Sequence, residues 1–295
     1  MLIIHNQRAA VRREARFRAV LDSLKAAGCP MVVQQTQAAG DAGRFAAAAS
    51  RRTFDLVVVA GGDGTINDTI NGFTPDSPAL GLIPLGTANV LAHELGQGMK
   101  PDAIVRSLIA GQRIAVYPGV VNGRRFMMMA GVGFDAHVVN GVKRPMKLRL
   151  GKLAYALEAL RQLVLHPCPP LDAQIDGRPV VAATLVAQRG RLYGGRFTLA
   201  PDANLKIPLF QATLFPRAGR LAMAGYSAAL PLGLLTRLGL VEHVEARCIE
   251  VAGHPGDPVQ ADGDVIAHLP AKLTLDDHPI HITVPPTGDS AKKPI

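Results

Sequence analysis

The sequence predicts a chain of two domains, an α/β domain with a parallel sheet followed by a domain of antiparallel β-strands. In the first 117 residues, short apolar runs alternate with helical patterns, which is typical of parallel strands joined by helices. From residue 118 onward, strand-like runs recur between Gly, Pro and Asp turns, which favours antiparallel strands. The length of 295 residues suits two domains of about 150 residues each.

The elements of the first domain follow from local patterns. Uninterrupted apolar or β-branched runs predict strands at residues 1–5, 31–33, 55–60 and 80–84. Helical spacing of apolar residues predicts helices at residues 10–27, 40–52, 87–95 and 101–110, and another from about residue 65. This alternation predicts a parallel sheet that is covered by helices on both faces.

In the second domain, strands are predicted at residues 126–130, 172–175, 180–187, 197–200, 211–215, 244–251 and 278–284. One helix is predicted at residues 152–165, with Leu153, Leu157, Leu160 and Val164 on one face. The resulting boundaries are a first domain at 1–117, a second at 118–285 and a C-terminal tail at 286–295.

Composition excludes several classes of protein. Apolar residues make up 48% of the chain and charged residues 19%, which excludes intrinsic disorder. Cys29, Cys168 and Cys248 are few, odd in number and scattered, which predicts reduced cysteines in a cytoplasmic protein. The most apolar long stretch, residues 221–241, is interrupted by Gly, Pro and Arg, so it falls short of the roughly 20 residues of a membrane span. The N-terminus lacks the residue order of a signal peptide.

The net charge of +9 indicates a polyanionic partner, such as a nucleic acid, a nucleotide or an anionic membrane surface. Nucleic-acid binding is disfavoured, because basic and aromatic residues are not interleaved. Four cations, Lys143, Arg144, Lys147 and Arg149, directly precede the helix at 152–165. They fit either a solvated loop or an edge that docks on an anionic bilayer.

Residues 57–68 have the pattern of a phosphate-binding turn. A buried strand ends at Ala60, and three glycines and Asp63 fill the turn before a helix begins near Thr65. Glycines permit close approach to the backbone, and a helix N-terminus attracts anions. Asp63 adds a carboxylate suited to a magnesium ion or a proton. The pattern is neither a P-loop nor the dinucleotide-binding fingerprint, and a plain helix cap would not need three glycines.

A second glycine turn follows one strand–helix unit later, at Pro84-Leu-Gly-Thr-Ala-Asn89. Because parallel strands end at the same edge of a sheet, we expect the two turns to face one crevice there. Thr87 would then either cap its helix or donate a hydrogen bond to a phosphate.

The residues Gly61-Gly-Asp-Gly-Thr65, with Asn67 and Asn71-Gly72, and the turn at 84–89 resemble the diacylglycerol kinase catalytic-domain family. More narrowly, they resemble the bacterial lipid kinases that are related to the sphingosine kinases. The resemblance continues in the second domain at residues 130–136, 151–155, 193–195, 199–201 and 261–264. The matches cover nearly the whole chain in the same order.

This resemblance implies transfer of the γ-phosphoryl group of ATP, with Mg²⁺, to the hydroxyl of diacylglycerol or a related lipid. It implies a Rossmann-like parallel-sheet domain and an antiparallel β-sandwich domain with an inserted helix, as in NAD kinases and diacylglycerol kinases, with the active site between them. It also implies a cytoplasmic protein of phospholipid metabolism that meets its lipid at an anionic membrane surface, and it leaves a homodimer open.

The same resemblance implies roles for individual residues. Those implied to bind the nucleotide are Asn6, Gly61, Gly62, Asp63, Gly64, Thr65, Asn67, Gly86, Thr87 and Asn89, with Asp63 meeting the metal of Mg-ATP. Asp262 is the implied base that takes the proton of the lipid hydroxyl, supported by Asp264. Taken alone, Asp262-Gly263-Asp264 favours a β-hairpin turn.

Three departures from the family pattern bear on function. The loop Asn6-Gln-Arg-Ala-Ala10 replaces Asn-Pro-x-Ser-Gly, which predicts weaker contact with the nucleotide. Residues 205–209 contain no carboxylate where relatives often hold a structural magnesium ion with an aspartate, so we predict that this second metal is absent. Val90 stands where members of the family commonly have an acidic residue, directly after the asparagine of the second turn.

Two alternatives remain. NAD kinases share the Gly-Gly-Asp-Gly-Thr turn and a related two-domain plan, although the Asn-Glu pairing and the Gly-rich downstream elements expected of them are not found here. The altered loop after Asn6 would also suit a nucleotide- or lipid-binding protein that has lost catalysis.

Overall fold

The computed structural model describes residues 1–7, 13–143, 146 and 150–286. The chain divides into two compact units. One consists of Met1–Val116 together with the chain from His278 onward, and the other is Tyr117–Asp277. Strands β1–β20 and helices α1–α9 of the described residues are numbered below in chain order.

The first unit is built on a six-stranded sheet in the order β2-β1-β3-β4-β20-β5. The neighbouring strands from β2 to β20 run parallel, and β5 is antiparallel to β20. The strands are β1 (Leu2–His5), β2 (Val32–Gln35), β3 (Leu56–Gly61), β4 (Ala79–Pro84), β5 (Gln112–Val116) and β20 (Ile280–Val284).

Helices cover this sheet. They are α1 (Glu14–Ala26), α2 (Asp41–Ala47), α3 (Asp63–Gly72), α4 (Val90–Glu94) and α5 (Pro101–Ala110). Val58 of β3 packs in one apolar cluster with Leu24 of α1 and Ile104 of α5. Val57 and Val59 point to the opposite face of the pleated strand and are also buried, so the sheet is covered on both faces. The predicted α/β class is confirmed.

The last strand shows a difference from the sequence-based boundaries. β20 was predicted within the second domain, but it lies in the first sheet, with Ile282 beside Leu80 of β4. Alternation of apolar residues identifies a strand but not its partners, so its sheet could not be predicted. Residues 287–295 of the predicted tail lie outside the described residues.

The second unit contains two six-stranded antiparallel sheets. One has the order β10-β9-β16-β19-β6-β7, formed by β6 (Gly119–Val121), β7 (Arg124–Phe126), β9 (Leu171–Ile175), β10 (Arg178–Ala182), β16 (Ile249–Val251) and β19 (Ala271–Leu275). The other has the order β15-β14-β11-β8-β17-β18, formed by β8 (Met129–Gly133), β11 (Thr184–Gln188), β14 (Phe210–Phe215), β15 (Glu242–Ala246), β17 (Pro258–Ala261) and β18 (Asp264–His268).

A core between these sheets makes the unit a β-sandwich, as predicted. Phe126, Ile249 and Leu273 of the first sheet share one apolar cluster with Leu185 and Phe210 of the second. The short strands β12 (Leu192–Tyr193) and β13 (Phe197–Thr198) form a separate hairpin.

Four helices are described in the second unit: α6 (Phe134–Gly141), α7 (Lys152–Leu165), α8 (Arg220–Ala229) and α9 (Leu234–Arg237). The predicted helix is α7, whereas α6, α8 and α9 were not predicted. Interruptions such as Gly225, Pro231 and Gly233 obscured the helical pattern of the stretch 221–241. Within the described residues, no helix is long and apolar enough to cross a membrane.

The apolar face predicted for α7 is exposed. Leu153, Leu157, Leu160 and Val164 have 56%, 45%, 62% and 69% of their surface exposed. The side that faces the protein instead buries Ala154 and the carboxylate of Glu158. Since amphipathic helices of globular domains normally bury their apolar stripe, this exposed row of side chains is a candidate contact surface.

Candidate active site

The two glycine turns lie against each other at the carboxyl edge of the first sheet. β3 ends at Gly61 and β4 at Pro84, and these two residues are partners in the parallel pair. The carbonyl of Gly61 accepts hydrogen bonds from the main-chain nitrogens of Leu85 at 2.8 Å and Gly86 at 3.1 Å. The predicted juxtaposition of the turns, where open α/β sheets bind their ligands, is confirmed.

Gly62 and Gly86 allow this contact because neither has a side chain. A Cβ added to Gly62 would lie 2.9 Å from the Cα of Gly86, and a Cβ on Gly86 would lie 2.5 Å from the Cα of Gly62. The φ angle of Gly62 is −107°, which any residue can adopt, so the steric contact explains this glycine. The glycines therefore bring the two turns together.

Asp63 is the first residue of α3. Gly62 occupies the N-cap position, and no side chain of the described residues caps the helix. Asp63 is therefore not the cap that a plain strand–helix turn would use. Its Oδ1 accepts a hydrogen bond from the main-chain nitrogen of Leu91 in α4, at 3.4 Å. The carboxylate thus lies between the start of α3 and the helix that follows the second turn.

Asn6 remains in contact with the first turn although the loop after it is altered. Its Nδ2 donates a hydrogen bond to Oγ1 of Thr65 at 2.9 Å, and its main-chain nitrogen donates to the carbonyl of Ala60 at 3.0 Å. The structure therefore brings Asn6 and Thr65 together. Gly64 of the first turn and Thr87 of the second turn are exposed.

Two asparagines leave buried acceptors near the turns. Asn89 has a left-handed φ of 47°, and its Nδ2 donates to the carbonyl of Gly86 at 2.8 Å. Its Oδ1 is buried and, among the described residues, has no hydrogen-bond partner. The Oδ1 of Asn67 in α3 is likewise buried and has no hydrogen-bond partner among the described residues. Buried acceptors without partners are uncommon, so both atoms suit a donor from a bound molecule.

Two arginines at the start of α1, Arg13 at its N-cap position and Arg16 within the helix, contact the second turn and were missed in the sequence. Nη1 of Arg13 donates to the carbonyl of Leu85 at 2.7 Å, and Nη1 of Arg16 donates to that of Pro84 at 2.9 Å. Their spacing of three residues on a helix that follows β1 is the signal that could have identified them. They place positive charge beside an edge that was predicted to bind phosphates.

Asp262 lies in a two-residue turn between β17 and β18. Asp262 and Gly263 have φ angles of 50° and 86°, and Ala261 pairs with Asp264, as expected for a tight hairpin. The carboxylate accepts hydrogen bonds from three successive main-chain nitrogens, those of Met127 at 2.7 Å, Met128 at 3.0 Å and Met129 at 2.9 Å. The backbone between β7 and β8 therefore fixes this carboxylate, while Asp264 is exposed at the start of β18.

The same unit contains a second turn of this kind. Asp176 and Gly177, between β9 and β10, have φ angles of 48° and 78°. The carboxylate of Asp176 accepts hydrogen bonds from the main-chain nitrogens of Arg247 at 3.1 Å and Cys248 at 2.8 Å. An Asp-Gly turn whose carboxylate binds backbone amides therefore occurs twice in this unit. A catalytic role for Asp262 requires a test that distinguishes its effect on activity from that of Asp176.

A buried polar cluster adjoins the Asp262 turn. Asp135 accepts hydrogen bonds from the hydroxyl of Tyr193 and from Nε2 of Gln260, the latter at 2.7 Å. Oε1 of Gln260 accepts from the main-chain nitrogen of Gly263 at 3.0 Å. Burial raises the pKa of Asp135, and burial together with the nearby Asp135 carboxylate raises that of Tyr193. Asp135 and Tyr193 lie in motifs that carried the family resemblance, whereas nothing in the sequence marked Gln260.

The residues at the sheet edge fit a nucleotide polyphosphate. They offer the N-terminus of α3 and two arginines to the phosphates, and two unpartnered acceptors to donor groups elsewhere on the nucleotide. No group of three or more His, Cys, Asp or Glu side chains in the described residues could hold a metal ion. A magnesium ion would therefore meet Asp63 together with phosphate oxygens, which is the usual way that proteins bind it with nucleotides.

Comparisons with known proteins agree with this architecture. A diacylglycerol kinase of Bacillus subtilis (strain 168) is 29% identical over 274 residues, 90% of this chain and 89% of that protein. A diacylglycerol kinase of Staphylococcus carnosus (strain TM300) is 26% identical over 264 residues, 88% and 86% of the two chains. The crystal structure of a diacylglycerol kinase from Bacillus anthracis str. Sterne is similar in fold, with a TM-score of 0.73 at 20% identity, over 97% of this chain and 96% of that one.

Family models assign both parts of the chain. Residues 1–121 match the diacylglycerol kinase catalytic domain. Residues 128–284, more than half of the chain, match the YegS C-terminal NAD kinase beta sandwich-like domain. The resemblance found in the sequence is thereby confirmed, and the chain belongs to the diacylglycerol kinase-like family in which this catalytic domain precedes a YegS-type β-sandwich domain.

Proposed function

We propose that this chain is an ATP- and magnesium-dependent lipid kinase that phosphorylates the hydroxyl of diacylglycerol or a related lipid. The observation that carries the proposal is the contact between the two glycine turns, which gathers the start of α3, Asp63, Arg13 and Arg16 at one sheet edge. Such a set provides positioning and positive charge, the main requirements of phosphoryl transfer.

In this mechanism the first unit binds the nucleotide. The N-terminus of α3 and the guanidinium groups of Arg13 and Arg16 stabilise the negative charge of the triphosphate. Asp63 would hold the magnesium ion that accompanies ATP, and such an ion would supply positive charge to the phosphate oxygens. Asn67 and Asn89 accept hydrogen bonds from donors of the nucleotide.

The second unit supplies the base. The carboxylate of Asp262 takes the proton of the lipid hydroxyl while the oxygen of that hydroxyl forms a bond to the γ-phosphorus. The bond from that phosphorus to the bridging oxygen of ADP breaks, and ADP keeps the electron pair. The three amides of Met127–Met129 keep the carboxylate in position for this transfer.

The exposed stripe of α7 supports contact with an anionic membrane surface, where the lipid substrate resides. The stripe consists of Leu153, Leu157, Leu160 and Val164. Its polar side carries Arg161, which has 60% of its side chain exposed. Four cations directly precede α7 in the sequence, although Arg144, Lys147 and Arg149 lie outside the described residues. Apolar side chains beside cations favour the interface of an anionic bilayer.

Labelled ATP tests the proposed activity. The protein is incubated with γ-labelled ATP and a panel of acceptors, comprising diacylglycerol, phosphatidylglycerol, sphingoid bases and NAD, with and without magnesium. We expect label in a lipid only when magnesium is present. Label in NAD would assign the chain to the NAD kinases, whose sandwich domain gives its name to the second family model. Absence of any labelled product would indicate a binding protein.

A further inference from the structure

Arg189, directly after β11, is the largest of the fully buried side chains in the described residues, with 0% of its surface exposed. Burying a guanidinium is costly unless it is paired or fully hydrogen-bonded. No carboxylate of the described residues forms a salt bridge with Arg189. Burial lowers the pKa of Arg189 to about 10, which leaves the group charged at neutral pH. The unit therefore keeps a positive charge in its interior for a reason other than an ion pair.

The guanidinium binds three main-chain carbonyls in two separate parts of the unit. Nε donates to the carbonyl of Tyr117 at 2.7 Å, Nη2 donates to that of Leu205 at 2.9 Å, and Nη1 donates to that of Leu209. Leu205 and Leu209 are the two ends of the segment that has no carboxylate. Convergence of carbonyl oxygens on one positive centre is also how proteins bind hard metal ions.

The main chain of Arg189 leads to the Asp262 turn. Its nitrogen donates a hydrogen bond to the carbonyl of Met128 at 2.8 Å. The nitrogen of that same Met128 donates to Oδ1 of Asp262 at 3.0 Å. Met128 therefore links the main chain of Arg189 to the carboxylate of Asp262.

We propose that Arg189 is a positioning residue, an internal cation that holds segment 205–209 and Tyr117 to β11 and steadies the amides that bind Asp262. The consequence for activity rests on the proposed function of Asp262, but the structural role does not. Because the guanidinium already satisfies these carbonyls, the segment needs no divalent cation. A lysine has three donors on one nitrogen and could not reproduce the planar set of contacts, and a methionine has none.

Hydrogen exchange of the full chain, followed by mass spectrometry, tests this without any kinase assay. The wild type is compared with Arg189→Lys, Arg189→Met and the control Arg178→Met, which removes an exposed arginine of β10. We expect peptides covering 127–129 and 203–210 to exchange at least about tenfold faster in Arg189→Lys, and the control to match the wild type. Should Arg189→Met fail to fold, the lysine variant still carries the test. Unchanged exchange in the lysine variant would overturn the proposal.

The metal arm of the experiment uses EDTA, MgCl₂ and CaCl₂ in turn, without nucleotide. We expect wild-type exchange at 203–210 and the midpoint of thermal unfolding to be the same in all three. Slower exchange with either ion, or a loss of protection in EDTA, would show that a metal holds this segment and would contradict the proposal.

In the kinase assay, Arg189→Lys should lower kcat and leave the KM for ATP unchanged. If the wild type yields no product, the proposed function fails, while the exchange result still decides the role of Arg189.

Discussion

Gly62 and Gly86 lie so close that a Cβ on Gly86 would approach the Cα of Gly62 to 2.5 Å and Oδ1 of Asn89 to 2.7 Å. We therefore expect Gly86→Ala to push the two turns apart and to raise the KM for ATP at least about tenfold, with a loss of stability of about 1–3 kcal/mol. The measurements are ATP titration of the kinase rate and urea unfolding.

Gly225→Ala is the matched control for this substitution. Gly225 lies in α8 with no atom within 4 Å of the added Cβ, so alanine should preserve activity and stabilise the helix slightly. Equal KM values for Gly86→Ala and the wild type would show that the contact between the turns does not shape the nucleotide site.

Asp63→Asn removes the carboxylate at the start of α3 and keeps its size. Because the neutral amide binds magnesium poorly, we expect kcat to fall by about 100-fold or more at saturating ATP, with little change in the melting temperature. The control is Asp22→Asn, at an exposed position of α1. Full activity of the Asp63 variant would refute its assignment to the metal of Mg-ATP.

His5 predicts a pH dependence of stability. It is 2% exposed, stacks on Phe17 with ring centroids 3.8 Å apart, and has no hydrogen-bond partner for either ring nitrogen among the described residues. Burial lowers the pKa of His5, and Glu14 raises it by a smaller amount. The stability that this neutral ring contributes is therefore complete above the unfolded pKa of about 6.5 and is lost as the pH falls through 6.5 toward the folded pKa.

We expect the free energy of unfolding of the wild type to fall from pH 7 to pH 5 relative to that of His5→Phe, measured with urea. His281→Gln changes an exposed histidine and should follow the wild type. Parallel pH profiles for the wild type and His5→Phe would contradict this assignment.

The exposed stripe of α7 predicts membrane affinity. Replacing Leu160 and Val164 with Glu should lower binding to vesicles that contain anionic lipid by about tenfold or more, since each buried apolar side chain contributes roughly 1.5–3 kcal/mol. Val181→Glu is the control, because Val181 is 61% exposed on β10. Cosedimentation measures the binding. An oligomeric state that changes while vesicle binding persists would identify the stripe as a contact between proteins.

The sequence predicted the site best where functional residue types lie within a recognisable local pattern of strands, turns and helices. The Gly61–Thr65 turn combines a buried strand, glycines and a helix start, so its place at the sheet edge could be predicted. Contacts between distant residues could not. Arg189 binds main-chain carbonyls, which have no sequence signature. The strand β20 pairs with β4 from about 200 residues away in the chain. At Asp262 the hairpin turn was evident from Asp-Gly, but the amides of Met127–Met129 that bind its carboxylate were not.

The pair Asp262 and Asp176 gives the most direct test of the proposed mechanism. Both residues begin Asp-Gly turns and bind backbone amides, so Asn at either position places an NH₂ group against those amides and should cost about 1–3 kcal/mol of stability. Only Asp262 is assigned to the lipid hydroxyl. The measurement is transfer of label from ATP to lipid by Asp262→Asn and Asp176→Asn, with urea unfolding of both.

We expect Asp262→Asn to lower kcat by about 10²–10⁴-fold with the KM for ATP unchanged, and Asp176→Asn to retain wild-type turnover. Comparable losses of turnover in the two variants, or an Asp262→Asn enzyme whose kcat is unaffected, would contradict the assignment of Asp262 as the base.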